Sequence, residues 1–164
     1  MKFEIIEIEE LSGDKGKIYS VSLNDEDQTL FDKFVEIHDE QFPAEIDEIT
    51  NRLHGMGNNI GHRYDFFKHD EGIPGDGVCA LYDIPERSLR LYCIRYGCVA
   101  IVLGGGGKKN VRAWQDDSTL AENAQLMINI SRKISERMEE GDLKLTDDGL
   151  VGNLIWEEEN EYDE

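Results

Sequence analysis

The sequence predicts an α+β protein: an antiparallel meander sheet with an N-terminal helical hairpin and a long C-terminal helix, plus terminal β-hairpins. Two observations predict this class. Residues 78–103 form three apolar or alternating segments separated by turn residues, which is typical of consecutive antiparallel strands. Residues 26–57 and 118–140 instead repeat apolar side chains every three or four positions, the spacing of amphipathic helices.

The N-terminal third predicts a β-hairpin followed by two helices. Residues 3–10 and 17–23 flank a turn cluster, and the polar alternate positions Ser20 and Ser22 predict one solvated face. Asn24 or Asp25 is the predicted cap of the first helix, because a short side-chain acceptor satisfies free amides. Phe42-Pro43 ends that helix. The apolar stripe of the second helix contains Ile46, Ile49, Leu53 and Met56.

Three strands are predicted at 78–84, 87–96 and 98–103. The last is apolar at every position, so we expect a central strand covered on both faces. The four glycines at 104–107 then predict a flexible loop that leaves the sheet. A capping box at Thr119-Leu120-Ala121-Glu122 predicts the start of the long helix, and Gly141 its end.

The C-terminal segment predicts a hairpin around Asp147-Asp148-Gly149, since Asp-Gly favours a turn that matches strand twist. Residues 1–156 form a single predicted domain and residues 157–164 an acidic tail. Three cysteines, an odd number, argue against a disulfide framework and favour buried thiols. No signal peptide and no apolar run of membrane-spanning length occur, so we expect a cytoplasmic protein.

Charge is distributed unevenly. The 164 residues carry a net charge of −19, which taken whole argues against nonspecific binding to nucleic acid, DNA included, or to anionic membranes. Residues 84–114 instead carry a net positive charge, because they contain one acidic residue, Glu86, and six basic side chains. Those six are Arg87, Arg90, Arg95, Lys108, Lys109 and Arg112. This basic stretch is the best functional clue in the sequence.

The glycine run does not predict a nucleotide site. No GxxxxGK[ST] pattern occurs, and Lys108-Lys109-Asn110 lacks the hydroxyl that would hold magnesium. His54, His62 and His69 are spaced unlike the ligands of a standard metal site. We therefore expect neither a metal nor another cofactor.

Arg90, Tyr92, Arg95 and the two lysines form a more informative group. Arg90 and Tyr92 share a strand face by two-residue periodicity. A basic face with an aromatic ring can hold a phosphate backbone and stack a base. The same cations could equally pair with the surplus of carboxylates in this chain, and on the residues alone both interpretations stay open.

The stretch LYDIPERSLRLYCIRYGCVAIVLGGGGKK, residues 81–109, resembles the sheet of RelE/HigB-type toxins of bacterial toxin–antitoxin systems. In that family two helices precede a strand meander. The meander contains a strand with an Arg and aromatics, a turn, an apolar strand and a Lys-Lys pair, and a further helix follows. The order of predicted elements over residues 26–140 is similar.

The resemblance implies a ribosome-associated messenger-RNA endonuclease without metal, or a degenerate relative of one. By position, Arg90 would contact phosphate, Tyr92 would stack or transfer a proton, and Lys108 and Lys109 would stabilise charge on the scissile phosphate. Further substrate contacts are expected from Arg87, Arg95 and Arg112. The implied partners are RNA, the ribosome and an antitoxin-like protein.

An alternative of a different class stays open. The chain would then be a noncatalytic protein-interaction module whose basic 87–112 face binds an acidic partner. A third interpretation is an unrelated domain that binds a small anion at Gly104–Gly107.

Overall fold

The computed structural model describes residues 1–69, 71–81, 88–109 and 114–157, without the side chains of 114–118. Its main sheet orders seven strands as β3-β4-β5-β6-β2-β1-β9. These strands are β1 (Phe3–Glu7), β2 (Lys17–Leu23), β3 (Phe67–Lys68), β4 (Val78–Leu81), β5 (Leu89–Tyr96), β6 (Ala100–Lys108) and β9 (Ile155–Trp156). Neighbouring strands are antiparallel except β2 and β6, which are parallel.

Helices cover both faces of this sheet. Helices α1 (Leu30–His38) and α2 (Pro43–Gly55) contribute to one apolar cluster with Ile18, Leu91 and Ile101. The long helix α3 (Trp114–Glu140) packs on the other face, where its buried Met127, Ile130 and Ile134 join a second cluster. The predicted α+β class, the β4–β5–β6 meander and the long C-terminal helix are confirmed. Among the described residues, no helix is long and apolar enough to cross a bilayer.

The N-terminal hairpin is confirmed, and Glu4 and Ile6 of β1 are exposed, but the predicted solvated face is wrong for β2. Strand β2 lies inside the sheet between β1 and β6, and Ser20 and Ser22 are 0% and 6% exposed. Their hydroxyls are satisfied locally. Ser20 Oγ donates to Leu103 O at 2.7 Å and accepts from Phe31 N at 3.1 Å. A serine that binds backbone groups on two neighbouring elements tolerates burial, and alternation alone cannot reveal this.

Two predicted helix caps are also wrong. Thr29 caps α1 in a reciprocal capping box with Asp32, whereas Asn24 and Asp25 have φ values of +51° and +62° in the preceding turn. Helix α3 already begins at Trp114, so Thr119 lies within it. The predicted helix end is confirmed, because Gly141 follows Glu140 with a φ of +87°.

The glycine run is not a flexible exit loop, because strand β6 continues through it to Lys108. The glycines instead permit close packing. A Cβ on Gly104 would lie 2.5 Å from Met127 Sδ of α3, and one on Gly106 would lie 1.8 Å from Arg90 O of β5. The β5–β6 register shifts between Leu91 and Cys93, so the two backbones approach closely beside this bulge.

The predicted C-terminal hairpin forms as β7 (Leu143–Thr146) and β8 (Gly149–Gly152), joined at Asp147-Asp148. Strand β9 follows this hairpin in the chain and pairs with β1 at the edge of the main sheet. Two of the three cysteines, Cys79 and Cys93, are buried as predicted, whereas Cys98 is exposed in the turn between β5 and β6. The predicted tail from residue 158 onward lies outside the described residues.

Candidate functional site

The positive charge concentrates at one end of the β5–β6 pair. Leu89 lies opposite Lys108, and Arg90 lies opposite Gly107. The backbone N–H of Lys109 donates to Ser88 O at 2.7 Å and extends the ladder by one residue. Arg90, Lys108 and Lys109 therefore lie within two rungs of each other, and we call this group the basic end of the sheet. Arg87 and Arg112 lie outside the described residues.

Arg90 projects from the side of the sheet that α3 covers. Its strand partner Gly107 faces Thr119 and Leu120 of α3. The Arg90 guanidinium forms an ion pair with Glu71, with 3.4 Å between Nη1 and Oε1, and both side chains are only 19% exposed. Partial burial strengthens such a pair relative to one at the open surface. Glu71, which the sequence analysis did not single out, thus offsets the charge of Arg90.

Lys108 lies on the opposite side of the sheet. Its strand partner Leu89 packs in the cluster formed with α1 and α2, and Lys108 Nζ is 5.8 Å from the centre of the Phe42 ring. Burial lowers the pKa of His38 on α1, and the positive charge of Lys108 lowers it further. The structure therefore brings Arg90 and Lys108 to one end of the sheet but not to one face.

Tyr92 lies in the core rather than on a surface. It is 5% exposed and belongs to the cluster beneath α3 with Met127 and Ile130. The predicted shared face of Arg90 and Tyr92 is present in the strand, but α3 covers the part that contains the ring. A role for Tyr92 in stacking or proton transfer would require this core to open.

Arg95 belongs to a different neighbourhood. It lies at the far end of β5, beside the turn that leads to β6, about 17 Å along the strand from Arg90 at 3.3 Å per residue. Arg95 Nε donates to His62 O at 3.0 Å, and the guanidinium carbon lies 5.5 Å from the centre of the Tyr64 ring. Arg95 and the basic end are therefore separate cationic positions.

His62 is fully buried and has a structural role. Its Nε2 lies 2.9 Å from Lys17 O, at the start of β2. Burial lowers the pKa of His62 to about 4, and the neighbouring Arg95 contributes to the decrease. No group of three potential metal-ligating side chains occurs within the described residues.

The sequence did not predict a cluster around Tyr64, although the segment RYDFFKH at 63–69 combines basic and aromatic side chains. The rings of Tyr64 and His69 stack with their centres 3.7 Å apart and an interplanar angle of 11°.

Comparison with family models, with curated proteins and with solved structures gives no match for this chain.

Proposed function

We propose that this chain is a RelE/HigB-like protein that binds RNA at the basic end of its sheet. The observation that carries the proposal is the position of Lys108 and Lys109, with Arg90, at one end of the β5–β6 ladder. Two helices, the β4–β5–β6 meander, the Lys-Lys pair and a further helix follow one another in the order that the resemblance implies. This agreement of order supports the proposal.

RNA is the polyanion best suited to this end of the molecule. The net charge of −19 disfavours a long duplex lying across the protein, because most of the surface would repel it. A single strand can instead approach one end and place a phosphate near Lys108 and Lys109. Lysine acts there as a point charge, which stabilises a phosphate in the ground state and in a transition state with more negative charge.

The arrangement favours phosphate binding more directly than acid–base chemistry. Lys108 and Lys109 supply charge, whereas the buried ring of Tyr92 has little access to a substrate. The proposal therefore commits to RNA binding. An assay for cleavage of ribosome-bound messenger RNA would distinguish an active member of the family that the sequence resembles from a degenerate relative.

Fluorescence anisotropy with a labelled single-stranded RNA tests the proposal. We expect binding at low salt, with a logarithmic salt slope that falls by about 1.4 when Lys108 and Lys109 are both replaced by Ala. Lys15→Ala with Lys144→Ala is the matched control, because both side chains are exposed and the double variant loses the same charge. Absence of binding at low salt, or equal loss in the control, would overturn the proposal.

The lysines of the basic end also suit a second candidate function, the binding of an acidic protein. Arg90 already pairs with Glu71 of the same chain, so an acidic partner would bind through Lys108 and Lys109. This candidate predicts a complex with a neighbour-encoded protein that weakens with added salt. A pulldown with the Lys108→Ala, Lys109→Ala variant should lose the complex, and an unchanged yield would exclude it.

A further inference from the structure

We infer that Tyr64, His69 and Arg95 form a binding site for an unpaired nucleobase of single-stranded RNA. As a site for RNA, it rests on the proposed function and adds base recognition to phosphate binding. The three side chains line a cleft of about 300 Å³, together with the loop from Ile73 to Val78. This volume is at the lower end of the range for small-ligand sites and can accommodate one base with part of its sugar.

The aromatic part of the cleft is exposed and held in place. Tyr64 is 64% exposed, so a ligand can reach its ring. His69 Nε2 lies 2.8 Å from Tyr64 O, in addition to the stacking of the two rings. Ring stacking and a hydrogen bond together fix the His69 ring, so a base that stacks on this pair meets a preorganised surface.

Arg95 gives the cleft a cation of fixed position. Its side chain is anchored to His62 O and lies against the rings of Tyr64 and Phe67, at 5.5 Å and 5.9 Å from their centres. A guanidinium plane beside aromatic rings is a common support for a splayed base and its phosphate. Arg63 nearby is paired with Asp65, with 3.5 Å between Nε and Oδ1, whereas the exposed Lys68 adds positive charge.

The loop on the opposite side of the cleft supplies polar backbone and a rigid shape. Asp76 Oδ2 accepts from Ile73 N and Oδ1 from Val78 N, both at 2.9 Å. Ser131 Oγ of α3 donates to Asp76 O at 2.6 Å and ties the loop to the body of the protein. Ile73 is 63% exposed at this loop, so the cleft presents an apolar contact opposite the ring stack.

The cleft and the basic end lie near opposite ends of β5. The cleft contains Arg95 near the end of β5, whereas Arg90 lies near its beginning, about 17 Å away. The cleft and the basic end are therefore separate contact positions for RNA, and each can be removed by its own substitutions.

A short single-stranded RNA that contains 2-aminopurine provides the test, because this base loses fluorescence when it stacks. We expect quenching on binding to the wild-type protein. Tyr64→Ala should abolish the quenching and weaken binding about tenfold, in line with the loss of one stacked base. Tyr64→Phe should keep both. Since Tyr64 is exposed, its variants should fold, and their melting temperatures check this. His69→Ala should reduce the quenching, whereas His54→Ala, at an exposed histidine of α2, should not.

Two further measurements distinguish failure of the cleft from failure of the proposed function. The Lys108→Ala, Lys109→Ala variant should weaken RNA binding but retain full quenching at saturating protein. Adenosine 5′-monophosphate, followed by NMR, should shift the ring signals of Tyr64 and His69 without any RNA present. If RNA binds and Tyr64→Ala quenches like the wild type, the base site is overturned. If RNA does not bind but the mononucleotide shifts these rings, the proposed RNA function fails and the base site holds.

Discussion

The guanidinium carbon of Arg137 lies 4.0 Å from the centre of the Trp156 ring. Arg137 Nη1 also donates to Asn153 O at 3.2 Å and to Ile155 O at 2.5 Å. On its other side Trp156 stacks on Phe3, with ring centres 4.5 Å apart. One arginine of α3 thus fastens the two-residue strand β9 to the edge of the sheet.

Replacement of Arg137 by Ala should loosen β9 without unfolding the core. The variant loses a cation–π contact and two hydrogen bonds from a charged donor, which together contribute about 1–3 kcal/mol. Hydrogen exchange at the Ile5 amide reports the change, because that N–H donates to Leu154 O at 2.9 Å. Arg132→Ala is the control, since Arg132 is exposed on the same helix. Equal exchange in both variants would contradict this role.

His62 should make the protein less stable as the pH falls from about 6.5 to about 4. Burial lowers its pKa to about 4 in the folded state, whereas the unfolded chain binds the proton near pH 6.5. Between these values the unfolded state binds more protons, so stability rises with pH and is fully present above 6.5. The predicted loss on acidification is about 3 kcal/mol.

Urea unfolding at a series of pH values checks this prediction. Carboxylates also titrate near pH 4, so the informative quantity is the difference between the wild type and His62→Gln. The amide of Gln can still donate to Lys17 O, and it does not titrate. We expect a shallower pH dependence for His62→Gln than for the wild type. A wild-type slope in His62→Gln would show that another group is responsible.

Removal of the Glu71 charge should strengthen RNA binding. Glu71→Gln replaces the carboxylate beside the Arg90 guanidinium with a neutral amide, so the local potential becomes more positive and attracts a phosphate more strongly. We expect tighter binding by a few-fold at low salt, with the gain lost at high salt because the interaction is electrostatic. Glu4→Gln makes the same change in net charge at an exposed position away from the basic end. If both variants gain equally, net charge rather than Arg90 explains the effect.

The architecture could largely be predicted from the sequence because most of its signals are local. The stripe of α2, the alternation in β5 and the turn at Asp147-Asp148 each depend on a few adjacent residues, and each forms as expected. The burial of Ser20 and Ser22 could not be predicted in this way. It follows from the position of β2 between β1 and β6, which is a long-range pairing that local alternation does not encode.

The candidate site was predicted less well than the fold for a similar reason. Sequence periodicity correctly placed Arg90 and Tyr92 on one strand face, but it could not show that α3 buries Tyr92 or that Glu71 pairs with Arg90. Lys108 was grouped with Arg90 because both belong to the basic stretch 84–114, and the β5–β6 register puts it on the other face. Tyr64 and Arg95 meet only in three dimensions, although the sequence between 63 and 69 already held a basic and aromatic signal.

Substitutions in the glycine run of β6 test whether close packing requires glycine at these positions. Gly106→Ala places a methyl group against the Arg90 backbone, which cannot move aside without disturbing the strand pair. We expect it to cost at least 3 kcal/mol of stability, at the upper end for overpacking. Gly104→Ala meets the flexible side chain of Met127 and should cost about 1–2 kcal/mol. Gly107→Ala, 3.3 Å from the Thr119 methyl, should cost less.

The control for this series is Gly55→Ala at the end of α2, where an added Cβ would have no neighbour within 4 Å. It should stabilise the protein by about 0.5–1 kcal/mol, because alanine loses less conformational entropy in a helix. Denaturant unfolding of the four variants gives the order directly. A flexible exit loop would tolerate all three substitutions in the run almost equally. A steep order with Gly106 as the most sensitive position is therefore the result that distinguishes a closely packed strand from a loop.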